Sequence, residues 1–270
     1  MAWSAVDVLV LGSNTGEVLL AIASSEEAVL KGFRASDSPI KFIAMDSRLQ
    51  YMAVVTGKQE VSFFEFEPSS AQWHSLVYLP SDERVPANAE ITSIHWDPSF
   101  RSEFEDHSVQ LVVSYDTGYI MTWCIDFAEG DATVIRSAQI AVAPIYAGHL
   151  SPNGSLFVYQ SPEPGLQVCD LALSSQAVSF VDSENTIEYP RNIRFMYSGD
   201  WLLTSGKGKL SLWHVASRTS ARTIDLDRRI HPPNVVIINI KLDKDRRAIL
   251  DRKDRNKSAA APGGEVEVVD

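Results

Sequence analysis

Apolar residues recur at every second position along most of this chain, and that period confines it to extended structure. Val6, Val8 and Val10 share one strand face, as do Val18, Leu20 and Ile22. Ile91, Ser93 and His95 alternate in the same way with Thr92, Ile94 and Trp96. No stretch keeps a 3.6-residue period for about twelve residues, so no long amphipathic helix is expected. Residues 25–31 have room for one or two helical turns at most. Polar turns separate the strands: Ser13-Asn14-Thr15-Gly16, Asp116-Thr117-Gly118, Ser151-Pro152-Asn153-Gly154 and Ser198-Gly199-Asp200. Asn, Asp and Gly tolerate positive φ, so these turns predict hairpins between antiparallel neighbours.

The hairpins repeat. A strand, a polar turn and a second strand occur at 8–12 and 16–18, at 51–57 and 60–64, and at 111–115 and 118–123. They return at 156–160 and 165–168, at 201–205 and 208–213, and more weakly at 247–250 and 264–268. The apolar residue after each turn falls at 18, 61, 120, 166, 210 and 266, at intervals of 43, 59, 46, 44 and 56. Further strands precede most pairs, at 40–44, 91–96, 145–150, 192–197 and 236–242. Others follow, at 73–79, 132–140, 176–181 and 222–226. Periods in the forties in an all-β chain indicate a β-propeller of four-stranded antiparallel blades. Four complete repeats and two partial ones are expected. The first begins with its second strand, and the sixth stops after its third, so the chain reads as a piece of a longer propeller or one that closes irregularly. The repeats occupy 1–242, and 243–270 is a charged, partly disordered segment that could belong to the incomplete sixth blade.

These repeats resemble the WD40 family over roughly residues 5–242. Gly118-Tyr119-Ile120-Met121-Thr122-Trp123 and Gly208-Lys209-Leu210-Ser211-Leu212-Trp213 are similar to that family's third strand. His149-Leu150-Ser151-Pro152-Asn153-Gly154 and Phe195-Met196-Tyr197-Ser198-Gly199-Asp200 are similar to its turn after the first strand, and Gly148-His149 echoes its Gly-His pair. The pattern is degenerate. Trp123 is followed by Cys124 and Trp213 by His214, so no repeat ends in Trp-Asp, and Trp96-Asp97 closes a first strand instead. The family's Asp–His–Ser/Thr–Trp network therefore does not carry over. The resemblance implies that Phe64, Trp123 and Trp213 pack between neighbouring sheets. It also implies that the links between repeats lie on a face that binds peptides.

Charge is unevenly distributed. The total of −11 divides into −16 over residues 1–200, +8 over 201–258 and −3 over the last twelve. The basic part peaks at 241–257, where Arg246, Arg247, Arg252, Lys253 and Arg255 form a candidate patch for nucleic acid or an acidic partner. Four aspartates interleave there, and no aromatic residue follows Trp213, so stacking platforms for single strands are absent from this stretch. A solvated face is the favoured reading of it. The N-terminus has no basic region ahead of its apolar run, and Asp7 interrupts that run, so no secretion signal is expected. No apolar run reaches the roughly 18 residues that span a bilayer. A cytoplasmic or nuclear setting fits, with no membrane.

No catalytic motif emerges. Gly12-Ser13-Asn14-Thr15-Gly16 is Gly-rich but opens a strand, so the helix terminus of a phosphate loop is missing. The histidines at 74, 95, 107, 149, 214 and 231 are dispersed without metal-ligand spacing. Cys124 and Cys169 read as small buried residues, and no cofactor is implied. Two insertions carry candidate partner-binding residues: Phe100, Arg101, Phe104 and Glu105 in 97–107, and Asp82 and Arg84 in 80–90. The leading expectation is a non-catalytic scaffold binding a protein through its rim loops. A propeller hydrolase with acids lining a central channel, and nucleic-acid or acidic-partner association through 201–258, are the alternatives.

Overall fold

The structure, a computed structural model, describes residues 2–3, 8–23, 28–46, 50–67, 72–98, 108–141, 144–162, 166–171, 178–180, 192–196, 199–206 and 209–225. Among them there is no α-helix, and all strands fall into five sheets of four. The first sheet comprises β1 (Ala2–Trp3), β2 (Val8–Gly12), β3 (Glu17–Ala23) and β4 (Ala28–Arg34). The second comprises β5 (Phe42–Met45), β6 (Tyr51–Val55), β7 (Val61–Glu67) and β8 (Gln72–Tyr78). The third holds β9 (Ile91–Trp96), β10 (Ser108–Tyr115), β11 (Tyr119–Asp126) and β12 (Asp131–Gln139). The fourth holds β13 (Ala147–Leu150), β14 (Leu156–Gln160), β15 (Leu166–Asp170) and β16 (Val178–Phe180). The fifth holds β17 (Asn192–Met196), β18 (Trp201–Gly206), β19 (Lys209–His214) and β20 (Thr219–Asp225). Every sheet is an antiparallel meander in chain order.

The expected hairpin turns form where the sequence places them. Gly16 and Gly118 adopt φ of 83° and 87°. A side chain there would be strained, and its Cβ would strike the carbonyls of Ser36 and Ala141. A second device recurs with the turns. The strand entering each new sheet is tied by its amide to the middle turn of the sheet before: Ile40 N to Ser13 O (3.0 Å), Ile91 N to Lys58 O (2.8 Å) and Ile145 N to Asp116 O (3.1 Å). The second, third and fourth sheets are thus each fastened to the one before through the backbone.

Alternation along the strands now has a clear meaning, because the middle sheets are covered on both faces. Met52 and Val54 of β6 pack with Val10, Val18 and Leu20 of the first sheet. Ala53 and Val55 of the same strand pack with Ile94, Leu111 and Trp123 of the third. On β10, Leu111 and Val113 face the second sheet while Val112 joins Phe157 and Tyr159 of the fourth. On β14, Val158 joins Phe195, Leu202 and Trp213 of the fifth. Burial on both faces is why β6 is buried at all five positions and reads as a continuous apolar run. The outer strands β8 and β12 are largely exposed and interleave polar with apolar residues. Phe64, Trp123 and Trp213 lie between neighbouring sheets, as expected. The strand after Trp123 and Trp213 pairs through a register shift at the same place, between Thr122 and Trp123 and between Leu212 and Trp213. Trp213 Nε1 donates to Thr204 Oγ1 at 3.1 Å.

Three expectations need correction. The first repeat does not lack its opening strand: Ala2 and Trp3 pair with Val10 and Leu9. Two residues are too few to show a period. Residues 28–31 are not helical but part of β4, held along β3 from Ala28 to Arg34. The count of complete four-stranded repeats is therefore five among the described residues, not four. The strand expected at 236–242, the sixth repeat and the 243–270 segment lie outside the described residues.

Candidate functional site

The first strand of each sheet lies against the first strand of the next, from β1 through β5, β9 and β13 to β17. This row brings distant residues together. Its sequences, Ala-Trp, Phe-Ile-Ala-Met, Ile-Thr-Ser-Ile-His-Trp, Ala-Gly-His-Leu and Asn-Ile-Arg-Phe-Met, contain no carboxylate. They contain two imidazoles and one guanidinium: His95 on β9, His149 on β13 and Arg194 on β17. Each of the three occupies a strand position just before a large apolar residue, Trp96, Leu150 or Phe195.

Side chains clasp the row together. Trp96 Nε1 donates to Ala44 O at 3.0 Å, reaching back to β5. His95 Nε2 lies 3.2 Å from Gly148 O on β13. Arg194 Nη1 lies 2.8 Å from His149 Nε2. The partners fix the protons. A carbonyl only accepts, so His95 carries hydrogen on Nε2. Arginine only donates, so His149 Nε2 is a bare acceptor and a neutral ring holds its hydrogen on Nδ1. The two imidazoles meet edge to face, with ring centroids 4.6 Å apart. Phe157 and Phe195 flank them at 6.3 and 6.0 Å. Gly148 leaves space that the Phe157 ring fills, so a side chain there would collide with it.

Packing sets the electrostatics. Desolvation, reinforced by the Arg194 charge, lowers the His95 pKa to about 3. Desolvation, with His95 and Arg194 nearby, holds His149 well below the usual imidazole range. Burial also lowers the pKa of Arg194, which nonetheless stays charged. None of the three residues is fully buried as a whole, although their charged or titratable ends are desolvated. The result is one cation and two neutral imidazoles in a densely packed place.

The sequence-predicted residues stand elsewhere. Asp82 and Arg84 form a two-pronged ion pair, Arg84 Nε to Asp82 Oδ1 at 2.7 Å and Nη2 to Oδ2 at 2.5 Å. This contact lowers the Asp82 pKa. Asp82 is 11% exposed and Arg84 47%. The surrounding loop is anchored, not loose: Val85 and Ala89 enter the core between the second and third sheets, and the Gln59 amide donates to Pro86 O at 2.6 Å. Glu83, Arg84, Ala87 and Asn88 form its outer surface. Phe100, Arg101, Phe104 and Glu105 lie outside the described residues. So do Arg246, Arg247, Arg252, Lys253 and Arg255 of the basic patch. The two described candidates, Asp82 and Arg84, pair with each other and not with the His95–His149–Arg194 cluster.

Other reactive groups are built into the scaffold. Cys169 sits within β15 and is buried, as expected, and burial pushes its thiol up to about 12. Cys124 lies within β11 and, against expectation, is only partly buried; the two cysteines are not bridged to each other. His74 pairs with Glu67 at 3.0 Å on the surface, and His214 Nδ1 lies 2.9 Å from Ser217 Oγ. Among the described residues no group of side chains could hold a metal ion, and no helix is long and apolar enough to cross a membrane. A small cleft between the third and fourth sheets is lined mainly by Ile120, Thr122, Arg136, Ile140 and Leu171. No protein-family model matches the chain, and no curated protein sequence matches it significantly.

The basic cluster escaped sequence reading because its members are dispersed single residues. One signal was available. His95, His149 and Arg194 recur in the first strands of three consecutive repeats, each preceding a large apolar residue. Aligning the first strands, rather than searching for local motifs, would have placed them side by side.

Proposed function

We propose that the five sheets are blades of a degenerate WD40-like β-propeller, and that the chain is a non-catalytic scaffold that binds a protein partner through the loops joining its blades. One observation carries this reading: four-stranded meanders are stacked face to face in chain order, with their first strands in line. That is how a propeller arranges its inner strands around a centre. The Trp213–Thr204 hydrogen bond matches the Ser/Thr–Trp part of the WD40 network. The anchored 80–90 loop is a rigid platform with a polar outer surface, suited to docking without loss of order. The high pKa of the Cys169 thiol also speaks for a packing role over a nucleophilic one.

The alternative of an acid-lined catalytic channel gains no support, because the five first strands carry no aspartate or glutamate. A cytoplasmic or nuclear setting belongs to the proposal. The test is purification from native lysate with crosslinking. The proposal expects a stoichiometric protein partner whose crosslinks fall on inter-blade loops, 80–90 among them. A chain that elutes alone, or whose crosslinks fall only on the outer strands, contradicts it.

A further inference from the structure

We infer that His95, His149 and Arg194 form a binding site for a single oxyanion, such as a sulfate-like group or a carboxylate, reached along the row of first strands. This inference does not depend on the propeller reading or on a protein partner. It begins with an imbalance of charge. Arg194 has five N–H donors, and its only partner among the described residues is the neutral Nε2 of His149. It makes no ion pair with any described carboxylate, and β1, β5, β9, β13 and β17 carry none. A desolvated cation is ordinarily paired, because leaving it alone is costly. The planar guanidinium fork fits two oxygens of one oxyanion and has donors to spare.

The surroundings favour the same ligand. Phe157 and Phe195 flank the imidazoles and lower the local polarity, which strengthens an interaction between unlike charges. None of the three residues is fully buried as a whole. The imidazoles add a proton-linked response. Without an anion, desolvation and Arg194 keep both rings neutral. A bound negative charge offsets that repulsion, so His95 gains a proton on Nδ1 and becomes a second donor. Among the described residues, the strands that pair with β9, β13 and β17 add no other charge. β10, β14 and β18 contain no acidic or basic residue, and their titratable groups are the phenols Tyr115 and Tyr159.

Isothermal titration calorimetry of the full chain tests this, with inorganic sulfate in one arm and a short acetylated peptide rich in Asp and Glu in the other. Sulfate keeps its charge between pH 6 and 8, so any proton taken up belongs to the protein. Each titration is run at both pH values, in two buffers of different ionisation enthalpy. The expected result is one-to-one binding, tighter at pH 6 than at pH 8, with net proton uptake at pH 6. Arg194→Gln weakens it about tenfold or more. His95→Gln retains binding but loses the proton uptake. Binding of sulfate alone identifies an inorganic oxyanion as the source, and binding of the peptide alone identifies an acidic segment. Millimolar sulfate and peptide both failing to bind overturns the inference, as does unchanged affinity in a folded Arg194→Gln. The wild-type measurement stands without any variant: binding with no proton uptake at pH 6 overturns the proton-linked part.

Discussion

The junction between the second and third sheets differs in kind from the row that joins the third, fourth and fifth. The first is an apolar block in which Phe63, Met121, Leu111 and Ile125 are fully buried, and its polar clasp, Trp96 to Ala44 O, is satisfied. The second runs through His95, His149 and Arg194, where a desolvated cation meets only neutral rings. Hydrophobic burial alone accounts for the first junction. It does not account for the second, where apolar residues of similar size would pack without the cost of desolvating charge. The third, fourth and fifth sheets also share apolar cores, so the basic row between them adds chemistry that their stability does not require. Such local inconsistency with the rest of a fold is characteristic of functional sites.

The sharpest way to probe this contrast is to empty the apolar block. Phe63→Ala removes a ring with no exposed surface, and it should cost about 3–5 kcal/mol in urea unfolding. A loss under about 1 kcal/mol would mean that the junction is not the stabilising one. Acidification comes next. His95 is neutral in the folded chain down to about pH 3, whereas an unfolded imidazole titrates near 6.5. The unfolded state therefore binds the extra proton between those values, and stability falls as pH drops below 6.5. The slope is about 1.4 kcal/mol per pH unit for this group, or about 2 kcal/mol at pH 5. His95→Gln should remove that contribution. Equal slopes in the two proteins would show that the ring is not desolvated.

Two smaller effects test the parts that frame the comparison. Gly118→Ala places a side chain at φ 87° against the Ala141 carbonyl, and should cost about 1 kcal/mol or more by thermal unfolding. Glu90→Gln removes the exposed pair with Lys41 (3.2 Å) at the entrance to the third sheet. It should cost no more than about 0.5 kcal/mol by the same measurement, since exposed pairs contribute little. A larger loss would shift part of the junction's stability from burial to charge.

The strands and turns were legible because their physics is local. Period two exposes a strand, and Gly16 and Gly118 mark backbone that few other residues can adopt. The failures were local as well. β1 has only two residues, and in Ala28-Val29-Leu30-Lys31-Gly32-Phe33-Arg34 three successive apolar residues blur the alternation. The five-sheet stack was only partly legible, since repeat spacing shows recurrence but not which faces meet. The basic cluster was legible only by aligning the first strands of consecutive repeats. His95 and Arg194 resemble single polar residues on ordinary strands until β9, β13 and β17 are brought into line. Conversely, Asp82 and Arg84 were singled out as charged loop residues, and the structure pairs them with each other at the edge of an anchored loop.

Urea unfolding of Arg194→Met bears most directly on the division between a stabilising junction and a basic row kept for binding. Methionine fills much of the arginine stem's volume and removes the desolvated charge, leaving His149 Nε2 as the one acceptor to lose a partner. At pH 7 without added anions, the variant should match the wild type within about 1 kcal/mol or exceed it. A loss of about 3 kcal/mol or more, comparable to Phe63→Ala, would show that Arg194 holds the fold together and would contradict the division.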